Sequence, residues 1–324
     1  MTHVGIISVG SYLPSKVLSN FDLEKMVDTT DEWITSRTGI KERRVAAKDE
    51  KTSDLATKAA LNALKHGKLE ASKIDLIIVA TISPDSNFPS VACIVQKNIG
   101  ATKAAAFDIS AACSGFLYAM TTAKQFIPTG LYKNALVIAA EKITSLVDWN
   151  DRSTCVLFGD GAGACVLAPT KSDGIISEYM HAEGEFGHLM AVYVDYPDTF
   201  DPDNKSMGIP RIAMQGKELF KVAVNSMAAA VEHALKKAKL DLEEVDCVVP
   251  HQANDRIISA VAKKLGIPKD KFYINIDRYG NMSAASLAVA LCEAVEAKKI
   301  KKGSNVVLVA FGAGLVSAAN VVKW

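Results

Sequence analysis

The sequence predicts an α/β protein built from two copies of one unit, each a sheet covered by helices. Three observations carry this. The strand-like segments over residues 4–9, 74–80, 135–140, 245–249 and 306–310 are continuous apolar runs rather than alternating ones, as in sheets buried on both faces. Stretches of helical length separate them, with Ser, Thr, Asp or Asn at their starts and Gly at several ends. Landmarks recur at an offset of roughly 170 residues, too long for a solenoid. Ile74-Asp75 matches Val245-Asp246, Gly100 matches Gly266, and Asn134-Ala-Leu-Val matches Asn305-Val-Val-Leu. The division falls at 1–170 and 171–324.

The elements follow in order. Ser11-Tyr12-Leu13-Pro14 breaks the first strand. Asn20 caps a short helix over 21–27, and residues 29–32 cap another over 33–37, which Gly39 ends. Lys41-Glu42-Arg43-Arg44 follows as a charged patch. Thr52-Ser53-Asp54 opens a helix over 55–66. Beyond the strand over 74–80 and a loop at 83–87, a helix over 91–99 closes at Gly100. A buried strand over 104–110 turns at Cys113 into a Pro-free apolar helix over 116–127, stopped by Pro128 and Gly130. Gly159-Asp160-Gly161-Ala162-Gly163 leads into a strand over 165–168. The second copy starts a strand at 174–176. It continues with a helix over 216–238, a strand over 245–249, a helix over 257–265 closed by Gly266, a strand over 273–276, a helix over 284–297, and strands over 306–310 and 318–322.

Composition narrows the function classes. At 324 residues, 49% hydrophobic and 23% charged, the chain has the make-up of a globular protein with a large core. Its net charge of +1 sets up no global field for nucleic acid or a membrane. No apolar run reaches membrane-spanning length, and no signal-type segment precedes the first strand. The six cysteines show neither Cys-x-x-Cys nor zinc spacing. A cytoplasmic protein with reduced thiols and no metal is expected.

Cys113 sits where a strand turns into a helix, between small residues. Unpaired first-turn N–H groups and the helix dipole favour a thiolate there and predict a lowered thiol pKa. A buried core cysteine is the alternative. His251, in Pro250-His251-Gln252-Ala253-Asn254, lies at the carboxyl end of a strand, where open α/β folds place ligands. Asn281 lies in Gly280-Asn281-Met282-Ser283, again between strand and helix, and is either a turn residue or a functional amide. This turn is the repeat counterpart of the Cys113 elbow, so the three residues are expected to converge across the interface between the copies. Gly159, Gly161 and Gly163 imitate a phosphate loop, but a strand follows instead of a helix, which favours close backbone packing.

With these motifs in place, the chain resembles the β-ketoacyl-acyl carrier protein synthase III family, the initiating condensing enzymes of bacterial fatty-acid synthesis. The match runs nearly end to end. It rests on Asp28-Thr-Thr-Asp-Glu-Trp-Ile34, Arg37-Thr38-Gly39-Ile40, the Cys113 elbow, Phe158-Gly-Asp-Gly-Ala-Gly-Ala164, Val249-Pro-His-Gln-Ala-Asn254 and Tyr279-Gly-Asn-Met-Ser-Ala-Ala-Ser286. The resemblance implies a five-layered thiolase-type fold and a decarboxylating condensation of an acyl-CoA primer, acetyl-CoA foremost, with malonyl-acyl carrier protein.

By the same resemblance, Cys113 is the nucleophile, and His251 and Asn281 are donors to the enolate. The backbone N–H groups of Cys113 and Ala313 form the oxyanion hole, although the family pattern has Gly in place of Ala313. Thr29, Trp33, Arg37, Arg152, Gly216, Phe220, Ala253 and Asn254 bind CoA, which is a substrate, so no cofactor is implied. Leu157, Leu189 and Phe88 from the other subunit of a homodimer line the acyl pocket, and the strand over 104–110 pairs with its two-fold mate. Lys221, Arg256, Lys263 and Lys264 meet the acidic acyl carrier protein. Residues 187–214 are longer than the usual counterpart and read as a loop capping the acyl end, or as a surface insertion. The rival readings are a secondary-metabolic synthase with another primer or acceptor, a Cys/His thioester hydrolase and a non-catalytic acyl-binding relative.

Overall fold

The computed structural model describes residues 2–171, 174–192 and 211–324. Most of the expected capping loop, 193–210 with Tyr193, Tyr196 and Phe200, lies outside the described residues.

The chain runs β1 (His3–Tyr12), β2 (Lys16–Ser19), α1 (Asn20–Leu23), α2 (Asp31–Thr38), β3 (Glu42–Val45), α3 (Thr52–Gly67), β4 (Leu76–Ala80), α4 (Val91–Ile99), β5 (Ala105–Ile109), α5 (Gly115–Phe126), β6 (Ala135–Lys142) and β7 (Asp160–Thr170). It continues with β8 (Gly174–Ala182), β9 (Met190–Val192), β10 (Ile212–Met214), α6 (Gly216–Ala238), β11 (Cys247–Pro250), α7 (Asp255–Leu265), α8 (Ile276–Tyr279), α9 (Ala284–Glu296), β12 (Asn305–Gly312) and β13 (Val316–Lys323).

Two sheets carry the architecture. One has the order β1-β7-β6-β4-β5 and the other β8-β13-β12-β11. Each keeps parallel neighbours on one side, β6 with β4 and β12 with β11, and antiparallel neighbours on the other. The expected strand at 273–276 is reduced to an isolated pairing beside β11, where Tyr273 N–H reaches Val248 O, because the chain turns into α8 at Ile276. Helices α3 and α4 cover the outer face of the first sheet, α6 and α7 that of the second, and α5 and α9 fill the space between. The result is the five-layered α-β-α-β-α arrangement.

The repeat extends to hydrogen bonds. The Asp75 carboxylate accepts from Asn134 N–H at 3.0 Å, and that of Asp246 accepts from Asn305 N–H at 2.8 Å. The Asn134 and Asn305 side chains donate to Lys73 O and Glu244 O, both at 2.9 Å.

Three local expectations change. Arg43 is not part of a charged patch. Strand alternation in β3 turns it inward, where its fully buried guanidinium donates to Leu18 O, Asn20 Oδ1 and Val156 O. Ser19, rather than Asn20, caps α1 in a capping box with Asp22, and the helix stops at Leu23. Strand β5 is an edge, half exposed along its length, so it is not fully buried within the chain.

Gly159, Gly161 and Gly163 serve packing. A Cβ on Gly163 would sit 2.6 Å from the Ala288 backbone of α9, and one on Gly161 2.7 Å from Met282 Sδ. Gly163→Ala should therefore push α9 from β7 and cost about 1–3 kcal/mol, the range for overpacked cores. Equilibrium urea unfolding measures it; an unchanged midpoint would mean that α9 has room to withdraw.

Candidate active site

Cys113 lies in a 3-10 turn, Ala112–Ser114, immediately before α5. Ala112 has φ 43°, a conformation costly for a residue with a Cβ. The turn is pressed against the end of β12, where a Cβ on Gly312 would come within 2.6 Å of Cys113 N. Only glycine permits that approach. The thiol is buried, 5% exposed. The expected drop in its pKa is not what the structure holds: burial pushes the thiol up to about 12, and the Glu141 carboxylate adds to the rise. The Ser283 side chain and the Cys113 N–H oppose this, but burial outweighs them.

His251 follows β11, and its N–H donates to Val309 O at 2.7 Å, which ties the residue to the neighbouring strand. Burial lowers its pKa to about 3, so the imidazole is neutral near pH 7. Nδ1 is buried without a partner among the described residues.

Asn281 is clamped by the first half: its N–H donates to Leu157 O at 2.8 Å, and its carbonyl accepts from Gly159 N–H at 3.1 Å. Its Oδ1 accepts from Ser283 N–H at 2.8 Å. That bond assigns the amide orientation and leaves the NH2 group free to donate.

The three side chains share one narrow cleft of about 130 Å³, lined also by Leu157, Gly216, Phe220, Ala253 and Asn254. Cys113 borders a second, wider cavity of about 810 Å³ as well, together with Ala313, Ile109, Ser110 and Met190. The thiol thus stands at the junction of two spaces. One lies beside α6 and the start of α7, the other beside β9 and β10.

Comparison with known proteins settles the family. The model described as 3-oxoacyl-[acyl-carrier-protein (ACP)] synthase III matches residues 107–184, and that of the C-terminal part of the same enzyme matches residues 235–324. The beta-ketoacyl-[acyl-carrier-protein] synthase III of Caldanaerobacter subterraneus subsp. tengcongensis is 52% identical over 324 residues, covering 99% of this chain and 97% of that protein. The enzyme of the same name from Clostridioides difficile is 53% identical, covering 100% and 99%. The crystal structure of 3-oxoacyl-[acyl-carrier-protein] synthase III from Aquifex aeolicus superposes with a TM-score of 0.93 at 50% identity, covering 99% of this chain and 100% of that one. The chain belongs to the synthase III family.

Trp33, Arg37 and Arg152 form a cluster joined to Asn254 of the cleft. Trp33 has the Arg37 and Arg152 guanidinium groups over its ring, at 5.1 and 4.9 Å from its centroid. Arg152 also donates to Asp28 O at 2.5 Å. Asn254 couples this cluster to the cleft: its side chain caps α7 and donates to Arg37 O at 3.1 Å. Thr29 stands nearby in the chain, its Oγ1 buried without a partner among the described residues. Lys221, Arg256, Lys263 and Lys264 are exposed on α6 and α7.

Leu189 packs into the core around α6, and its neighbour Met190 lines both cavities. Phe88, expected in the pocket of the other subunit, is 86% exposed on this chain. Sequence reasoning missed Glu141, a charged residue at the end of an apolar strand that is fully buried. Among the described residues no His/Cys/Asp/Glu group is placed to hold a metal, and no helix is long and apolar enough to cross a membrane.

The neutral His251 has a cost in acid. Its folded pKa, about 3, is below the ordinary 6.5, so between these values the unfolded chain binds the extra proton and stability falls as pH falls. His251→Ala removes that term. Its Tm relative to the wild type should rise as the pH drops below about 6.5, as followed by thermal unfolding at pH 7.5, 6 and 5; a constant difference would contradict a neutral buried imidazole.

Proposed function

We propose that this chain condenses an acyl-CoA primer, acetyl-CoA foremost, with malonyl-acyl carrier protein, releasing CO2 and CoA and yielding a 3-ketoacyl-acyl carrier protein that starts fatty-acid synthesis. One observation carries the reading: a buried thiol, a neutral imidazole and an amide with its NH2 group free meet at the foot of one cleft. Cys113, from the half spanning 1–170, takes the acyl group from CoA as a thioester. The N–H groups of Cys113 and Ala313 stabilise the oxyanion. His251 and Asn281, from the half spanning 171–324, hydrogen-bond the thioester oxygen of malonyl-acyl carrier protein as CO2 leaves. Neutral donors suit this step, because a developing enolate gains more from donors in a dry site than in water.

The rest follows from position. CoA enters along Gly216, Phe220, Ala253 and Asn254, with Thr29, Trp33, Arg37 and Arg152 around its nucleotide end. The Arg152 guanidinium over Trp33 must swing aside for an adenine ring to stack between them. Leu157 lies beside the thiol end of that path. The exposed cations Lys221, Arg256, Lys263 and Lys264 suit the acidic carrier protein. The open edge of β5 suits pairing with a second copy, which would bring the exposed Phe88 to the partner's acyl pocket. CoA is a substrate, and the reading assigns no resident cofactor.

Labelled acetyl-CoA, with and without malonyl-acyl carrier protein, tests the reading. Acyl-enzyme should form first and ketoacyl product only with the second substrate; release of acetate would mark a hydrolase instead. His251→Ala and Asn281→Ala should keep acylation and lose condensation by about 10²–10³-fold. Cys113→Ala should lose acylation and keep some malonyl decarboxylation. Condensation by Asn281→Ala at the wild-type rate would remove the amide from the mechanism.

A further inference from the structure

Arg43 is fully buried, and no carboxylate forms an ion pair with it among the described residues. Three neutral oxygens hold its guanidinium instead. Nη1 donates to Leu18 O at 3.1 Å and Asn20 Oδ1 at 2.9 Å, and Nη2 donates to Val156 O at 2.6 Å. Nε has no partner among the described residues. Burying a cation without a counter-ion is costly, and an apolar side chain of similar volume often packs as stably. Stability alone does not account for the arrangement.

One end of the guanidinium rests on a fixed base. Asn20 is itself fully buried, and its amide donates to Asp31 Oδ1 at 2.8 Å and Ile40 O at 2.7 Å. The other end reaches the segment that seats Asn281. Val156, whose carbonyl it holds, precedes Leu157, and Leu157 O accepts from Asn281 N–H at 2.8 Å. Gly159 N–H donates to Asn281 O at 3.1 Å. Both backbone bonds of Asn281 therefore go to the segment that Arg43 holds. The stem of Arg43 lies against the same contact from below: a Cβ on Gly159 would sit 3.0 Å from Arg43 Cβ, and one on Gly280, the neighbour of Asn281, 3.3 Å from it.

We propose that Arg43 is a positioning residue for the Asn281 amide, holding residues 156–159 so that the NH2 group stays aimed into the cleft. The inference rests on the condensing reaction proposed above, in which that amide donates to the malonyl thioester oxygen. Leu157, Phe158 and Asn281 line the cleft and Arg43 does not, so Arg43 acts through its neighbours. Its effect falls on the half-reaction that uses the amide. Cys113 is seated against Gly312 and His251 on Val309 O, contacts in which Arg43 has no part.

Arg43→Met and Arg43→Lys, each made in the wild type and on Asn281→Ala, test the assignment. The readouts are steady-state decarboxylation of malonyl-acyl carrier protein and rapid-quench acylation by labelled acetyl-CoA, with thermal unfolding as the check on folding. Arg43→Met should lower kcat for decarboxylation about a hundredfold, as a displacement near 1 Å does, with KM little changed. Arg43→Lys keeps the charge without the fork of donors and should lose about tenfold. Both should acylate near the wild-type rate. On Asn281→Ala neither should change the rate by more than about twofold, because the group they act through is gone. A folded variant that decarboxylates at the wild-type rate would overturn the proposal. So would full multiplication of the losses on Asn281→Ala, parallel loss of acylation, or failure of both variants to fold, each of which marks a role in the fold alone. A wild type that does not decarboxylate malonyl-acyl carrier protein would instead overturn the condensing reaction itself.

Discussion

The space between the two sheets is the constraint on which the rest depends. Helix α9 is buried along nearly its whole length, and the residues that let it in are small: Gly163 against Ala288, and Gly115 against Ala80 and Ala284. A helix apolar all round belongs in such a layer, and interiors at crystal-like density leave little play. The seating of each half against the other is therefore constrained by close packing, and with it the Cys113 elbow against Asn281. Further out, the clamp of Leu157 and Gly159 on the Asn281 backbone repeats the same logic with hydrogen bonds instead of methyl contacts.

Dryness follows from that closeness and sets the electrostatics. A low-dielectric site penalises every net charge and strengthens every aligned dipole. His251 responds by staying neutral, Glu141 by titrating near neutrality, and Cys113 by holding its proton. For decarboxylation this suits the chemistry, since a neutral environment with free N–H donors favours an enolate that forms within it. Acylation has the opposite need, because a thiol must become an anion or lose its proton as it attacks.

Much of this was legible in the chain. Continuous apolar runs marked the strands, Gly100 and Gly266 closed α4 and α7, and the Asp75/Asn134 and Asp246/Asn305 pairs betrayed the repeat before any coordinates. Cys113, His251 and Asn281 stood out because each was read between a strand and a helix; at Asn281 the expected strand gives way to α8. Other features were set by tertiary surroundings that periodicity does not encode. Arg43 reads as one of four charged residues, yet its destination depends on carbonyls as distant as that of Val156. The thiol pKa followed the helix dipole in the sequence and burial in the fold. Leu189 and Met190 are adjacent, and only the path of the chain decides which of them meets the cavity. Glu141 carried one signal, a charge closing an apolar strand.

The two elbows show how a duplicated scaffold supports unlike chemistry. Ala112 and Ser283 are related by the same repeat offset as Asp75 and Asp246, and both hold a positive φ, 43° and 49°, with a side chain attached. Such backbone costs about 1–3 kcal/mol at each position and survives where packing over-determines it. In the first elbow the turn delivers the next residue, Cys113, to the start of α5. In the second it delivers the Ser283 N–H to Asn281 Oδ1, which aims the amide. Glycine at either position would relieve the strain and also widen the conformations open to the elbow. A side chain held in a costly geometry does the reverse: it narrows the backbone conformations open to each elbow.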